Sequence, residues 1–166
     1  MCMLFPLQAS AQWSFGASYE MREQAPENGF GVRLERDLLG NLPLVDVGLR
    51  AHFSFFNEEN EFNQGDVVFA GDFTIYDYGL AATGGVSVGL LKPYIGLGIG
   101  RSNVEFEGTN FEDSESNTFW NGFVGAELTP IPKLNPFIEY RFQPTDEAEF
   151  APSSDGRLII GLLLSF

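Results

Sequence analysis

Apolar and polar residues alternate along nearly the whole chain with a period of two, and no convincing helical stretch interrupts them. Trp13, Phe15, Ala17, Tyr19 and Met21 alternate with Ser14, Gly16, Ser18, Glu20 and Arg22; Phe30, Val32 and Leu34 alternate with Gly31, Arg33 and Glu35. The third run sets Val45, Val47, Leu49, Ala51, Phe53 and Phe55 against Asp46, Gly48, Arg50, His52 and Ser54. A long fourth run, from about Val67 to Val88, carries Tyr76, Tyr78, Leu80 and Ala82 opposite Asp77, Gly79, Ala81 and Thr83. Four more follow, with apolar sets Ile95/Leu97/Ile99, Trp120/Val124/Ala126/Leu128, Ile138/Tyr140/Phe142 and Leu158/Ile160/Leu162/Leu164/Phe166. Side chains on a strand point alternately to its two faces, so the pattern predicts eight strands, each with one apolar face.

The connections alternate as well. Segments 38–43, 89–92 and 129–135 are tight and carry Gly or Pro, whereas 23–28, 57–66, 107–118 and 144–155 are polar and mostly longer. That rhythm predicts an all-β, eight-stranded antiparallel up-and-down transmembrane barrel over residues 12–166, with short periplasmic turns and extracellular loops. No apolar run reaches the roughly 18–20 residues of a membrane helix, but barrel strands need only about 10 residues of alternation.

Alternation alone also fits a soluble lipocalin-like barrel with its apolar face inward. The polar face argues the other way. It is rich in Gly, Ser and Thr, and its charges are Glu20, Arg22, Arg33, Glu35, Asp46, Arg50, Asp77, Glu127, Glu139, Arg141 and Arg157. Every base among them is Arg, the residue suited to buried fork-like pairing. Small residues and paired charges fit the narrow interior of an eight-stranded barrel, so the apolar face is expected to meet lipid.

Charge then separates by region. The four polar connections hold 14 acidic residues and no base, while the other 9 acids match the 9 bases of the strands and turns. The net charge of −14 lies in the predicted extracellular segments and excludes nucleic acid as a partner. A single Cys rules out a disulfide framework. Met1 to Gln8 are mostly apolar and Ala9-Ser10-Ala11 fits a small-x-small cleavage box, so residues 1–11 are expected to be a signal-peptide remnant.

Gly156 to Phe166, alternating and ending on an aromatic, resembles the terminal strand of outer-membrane barrels. Pro93-Tyr94-Ile95-Gly96-Leu97-Gly98-Ile99-Gly100 is similar to a stretch common in the small OmpA/OmpX-like families. The resemblance implies the outer membrane of a Gram-negative bacterium, lipid and lipopolysaccharide as surroundings, and insertion by the assembly machinery with Phe166 as the signal. With the chain ending at Phe166, no peptidoglycan-binding domain is expected. Folds of this type host many activities, so no single function follows.

His52 is the sole histidine, and Ser54 follows on the same face. That His-x-Ser spacing is the arrangement of outer-membrane lipid A deacylases, which makes catalysis one reading and a hydrogen-bonded interior histidine the other. The inward charges line either a narrow pore or a plug of ion pairs, and near-equal numbers favour the plug. No metal-ligand spacing is present, and neither metal nor cofactor is expected. Phe62, Phe111 and Phe150 lie within acidic segments as candidate contacts for an extracellular partner. Trp13, Trp120, Tyr76, Tyr78 and Tyr140 suit aromatic girdles. The preferred reading is a monomeric structural or surface-interaction protein, adhesin-like, ahead of a deacylase-type enzyme, a narrow pore and a soluble ligand binder.

Overall fold

The computed structural model describes residues 13–23, 26–38, 44–64, 67–108, 111–131, 133–145 and 153–166. The expected signal remnant, residues 1–11, and Phe150 lie outside them. Eight strands follow in order: β1 (Trp13–Arg22), β2 (Asn28–Asp37), β3 (Val45–Gln64), β4 (Val67–Val86), β5 (Leu91–Gly108), β6 (Phe111–Leu128), β7 (Leu134–Thr145) and β8 (Ser153–Ser165). Each pairs antiparallel with the next, and β8 returns to β1 from Ser14↔Ser165 to Arg22↔Arg157, closing the barrel. Closure gives every strand a neighbour on both sides through the body of the barrel, the condition for a sheet to cross lipid.

Exposure settles which face is outside. Ile99 and Phe166 are 68% and 66% exposed, whereas Arg50 and Arg141 are 2% exposed. The apolar face therefore points outward, and a soluble barrel with an apolar interior is excluded. The last strand follows the same rule: Leu158, Ile160, Leu162 and Leu164 face outward with Phe166, and Arg157 faces the lumen.

Two features differ from the sequence reading. Two of the four acidic segments expected to be loops, 57–66 and 107–118, are largely strand: β3 and β4 pair without a break from Val45↔Val86 to Gln64↔Val67, and β5 with β6 from Leu91↔Leu128 to Gly108↔Phe111. A long hairpin satisfies its own backbone in water, so polar composition does not end it. Phe62 and Phe111 thus lie on strands, not in loops.

The interior, moreover, is not only polar. Phe56, Tyr94, Phe119, Phe123 and Phe137 are buried inside. Each ring lies across a glycine of a neighbouring strand: Phe56 over Gly29, Tyr94 over Gly125, Phe119 over Gly100, Phe123 over Gly96 and Phe137 over Gly161. A Cβ at any of these glycines would enter its ring. These five inward glycines are therefore the space that the rings occupy, which explains why they are tolerated in strands that they would otherwise weaken.

Candidate functional site

The inner face of β7 presents Glu139, 1% exposed, to the middle of the lumen. Four groups from four strands converge on it. From β3, Arg50 reaches Oε2 through Nη1 at 2.5 Å; from β2, Arg33 reaches the same oxygen through Nη1 at 3.3 Å. The Tyr94 hydroxyl of β5 donates to Oε2 at 2.9 Å, and Arg141 of β7 donates to Oε1 at 2.9 Å. Glu35 of β2 binds Arg50 Nε at 2.6 Å and Arg33 Nε at 3.1 Å, and Glu127 of β6 lies 3.7 Å from Arg33 Nη2. Three carboxylates thus face three guanidiniums, the balance a buried charge cluster requires.

Aromatic faces cover what the carboxylates leave. The Arg33 guanidinium lies 3.4 Å from the Phe137 ring centroid, and that of Arg50 lies 4.4 Å from Phe123. Stacked guanidinium planes keep their hydrogen-bonding edges free for the acids, which a lysine ammonium does not do.

The remaining inward charges stand apart from this cluster. Arg157 pairs with Asp77 at 2.5 Å. Glu20 accepts from Ser54 Oγ at 3.0 Å and from Ser18 Oγ at 3.4 Å. Arg22 and Arg157 each place a guanidinium 5.0 Å from the Phe56 ring centroid. Asp46 sits at the turn end, half-buried, with Lys92 Nζ at 3.4 Å and the Ser87 hydroxyl at 3.2 Å. A polar cavity of about 190 Å³ opens there, bordered by Glu35, Asp37, Asp46, Lys92 and Glu127.

His52 and Ser54 do not form a nucleophile–base pair. The Ser54 hydroxyl is given to Glu20, and neither His52 ring nitrogen has a hydrogen-bond partner among the described residues. Both side chains are buried in the lumen, 6% and 0% exposed, away from the lipid-facing wall. His52→Ala is expected to leave the lipid A acyl pattern unchanged in mass spectrometry. An acyl chain lost in a His52-dependent way from cells carrying the native protein would restore the enzymatic reading. Among the described residues, no group of three or more His, Cys, Asp or Glu is gathered to hold a metal.

Tyr94, Lys92, Phe123 and Phe137 belong to the site but were not singled out from sequence. Tyr94 had a usable signal: it precedes outward Ile95, so its hydroxyl had to find a partner inside.

The model of a family described as outer membrane protein beta-barrel domain matches residues 2–156. Among solved structures, neisserial surface protein A (NspA) is similar at 14% identity and TM-score 0.64, covering 93% of this chain and 96% of that one. The N-terminal β-barrel domain of Pseudomonas aeruginosa OprF is similar at 14% identity and TM-score 0.67, covering 94% and 98%. The attachment invasion locus protein Ail of Yersinia pestis, in complex with the heparin analogue sucrose octasulfate, is similar at 17% identity and TM-score 0.59, covering 94% and 97%. No curated protein sequence matches this chain significantly. These likenesses establish the fold.

Proposed function

The chain belongs to the outer membrane protein β-barrel domain family, and from that premise we propose a surface-interaction role, adhesin-like, for a plugged barrel that carries acidic extracellular hairpins. The family places it in the outer membrane of a Gram-negative cell, with the outward apolar face against lipid. The observation that carries the reading is the pairing of a charge-balanced, aromatic-packed lumen with strands that run on into segments holding 14 acids and no base. A lumen so filled anchors; what is left to act is the acidic end.

That end selects the sign of its partner. Ail was solved with a heparin analogue, a polyanion. Here the extracellular segments repel polyanions and attract basic surfaces. The barrel in lipid nanodiscs is expected to bind polylysine-coated sensors more tightly than heparin-coated ones, with affinity falling as salt rises. The triple change Glu58→Gln, Glu59→Gln and Glu61→Gln is expected to weaken that binding. Equal or tighter binding to heparin would sink the proposal.

The plug has its own test. Planar bilayers containing the purified barrel are expected to show no steady channels; small steady channels would support the narrow-pore reading instead, and large ones would defeat the plug outright. Phe166, outward and joined to Trp13 by backbone hydrogen bonds of 2.9 and 3.2 Å, is the residue proposed to present the chain to the assembly machinery. Phe166→Ala is expected to lower the yield of heat-modifiable, folded barrel in cells.

A further inference from the structure

The outer wall is not uniformly filled. A groove of about 720 Å³ crosses it between Trp13 and Trp120. That is within the range of about 300–1,000 Å³ typical of small-molecule sites. Its hollow lies at Ala51 and Ala82, where the neighbouring outward positions carry Leu34, Leu49, Leu80 and Leu97.

The register sets its direction. Trp13 pairs with Arg36, Arg36 with Leu49, Leu49 with Ala82 and Ala82 with Leu97. Trp13 is the first residue of β1, at the turn end of the barrel, whereas Leu97 lies well into β5, which starts at Leu91. Because barrel strands are tilted, this row climbs from the periplasmic boundary into the hydrocarbon.

At its foot stands Arg36. The lumenal arginines Arg33, Arg50, Arg141 and Arg157 pair with carboxylates, but Arg36 faces outward and makes no ion pair with any described residue. Its guanidinium lies 5.3 Å from the Trp13 ring centroid. An outward base is tolerated on a membrane barrel only near the headgroups. There it meets lipid phosphate.

We propose that this groove is a binding site for an anionic glycerophospholipid of the periplasmic leaflet, its phosphate on Arg36 and one acyl chain lying over Ala51 and Ala82. The groove is continuous with the lipid-facing band, and of its two lining arginines Arg50 is committed to Glu35 and Glu139, which leaves the outward Arg36 to complement a phosphate. Lipopolysaccharide occupies the opposite leaflet. A second copy of the chain, docked about a two-fold axis, would bring two unpaired Arg36 side chains into one interface, which like-charge repulsion opposes.

The test uses the protein's two tryptophans, which stand at the two ends of the groove. The full barrel is placed in phosphatidylcholine nanodiscs containing a few mole per cent of phosphatidylglycerol brominated on one acyl chain. Tryptophan quenching is expected to exceed that from the same fraction of brominated phosphatidylcholine. Arg36→Gln is expected to raise the phosphatidylglycerol fraction needed for half-quenching by roughly fivefold, the factor one surface base contributes towards anionic lipid. Ala82→Leu, which fills the hollow from the outward face, is expected to abolish the excess while the barrel still runs as a folded band. Equal quenching by the two lipids, or no response to Arg36→Gln, would overturn the site. Disulfide-linked dimers of Ala82→Cys formed in vesicles would overturn it too, assigning the groove to a second copy.

Discussion

Replacing Glu139 by Gln is expected to destabilise the barrel by about 3–5 kcal/mol, the usual cost of breaking a buried ion pair from one side. The substitution keeps the shape and removes the charge on which Arg33, Arg50 and Arg141 converge. Three guanidiniums, 1–5% exposed, are then left with Glu35 and Glu127 as the cluster's carboxylates. Urea unfolding of the barrel in vesicles, followed by tryptophan emission, reads the loss as a lower midpoint. Asp46→Asn is the contrast: its partner Lys92 and Asp46 itself retain about a fifth of their side-chain exposure, so less than about 1 kcal/mol is expected. Equal effects from the two substitutions would mean that the Glu139 cluster does not bear the lumen's charge balance.

The second large effect concerns shape. Phe123→Ala is expected to cost about 3–5 kcal/mol, since it empties the space between Gly96 and the Arg50 guanidinium. Gly96→Val is expected to cost about 1–3 kcal/mol by driving a side chain into that same ring. In combination, Gly96→Val with Phe123→Ala is expected to be no worse than Phe123→Ala alone, because the new methyls occupy the vacated space. Additive losses in the same unfolding assay would show that the glycine is not there to admit the ring.

The eight strands, and the face each turns outward, were legible because alternation is a local property that survives the tilt of a barrel. Leu158 to Leu164 needed no knowledge of any other strand. Which inward groups meet was not legible. Glu139 lies on β7, Arg50 on β3 and Arg33 on β2; their convergence depends on stagger across the lumen, which no single strand encodes. The ring-on-glycine pairs were hidden for a related reason. Phe123 and Gly96 sit on different strands at the same level, and each read alone looks like an interruption of a polar face. The strand ends were misread in the acidic segments because composition there reports water, not conformation. Glu58 to Glu61 remain within β3.

The lengths of the strands carry a consequence for how the molecule meets others. β3 and β4 have 20 residues each, β5 and β6 18, but β1 and β2 only 10. At a rise of about 3.3 Å per residue the long strands extend roughly 59–66 Å and the short ones roughly 33 Å. Tilted by about 45°, a long strand rises well past the ~25 Å apolar band of an outer-membrane barrel, whereas a short one, at roughly 23 Å, only just matches it. Among the described residues this surplus lies on one flank, β3 to β6. In the plane of the membrane the described strands have a front and a back: a tall screen from β3 to β6 over half the circumference, and shorter strands over the rest. A neighbour arriving sideways therefore meets different surfaces according to its bearing, a directionality that a round barrel with a level rim does not possess.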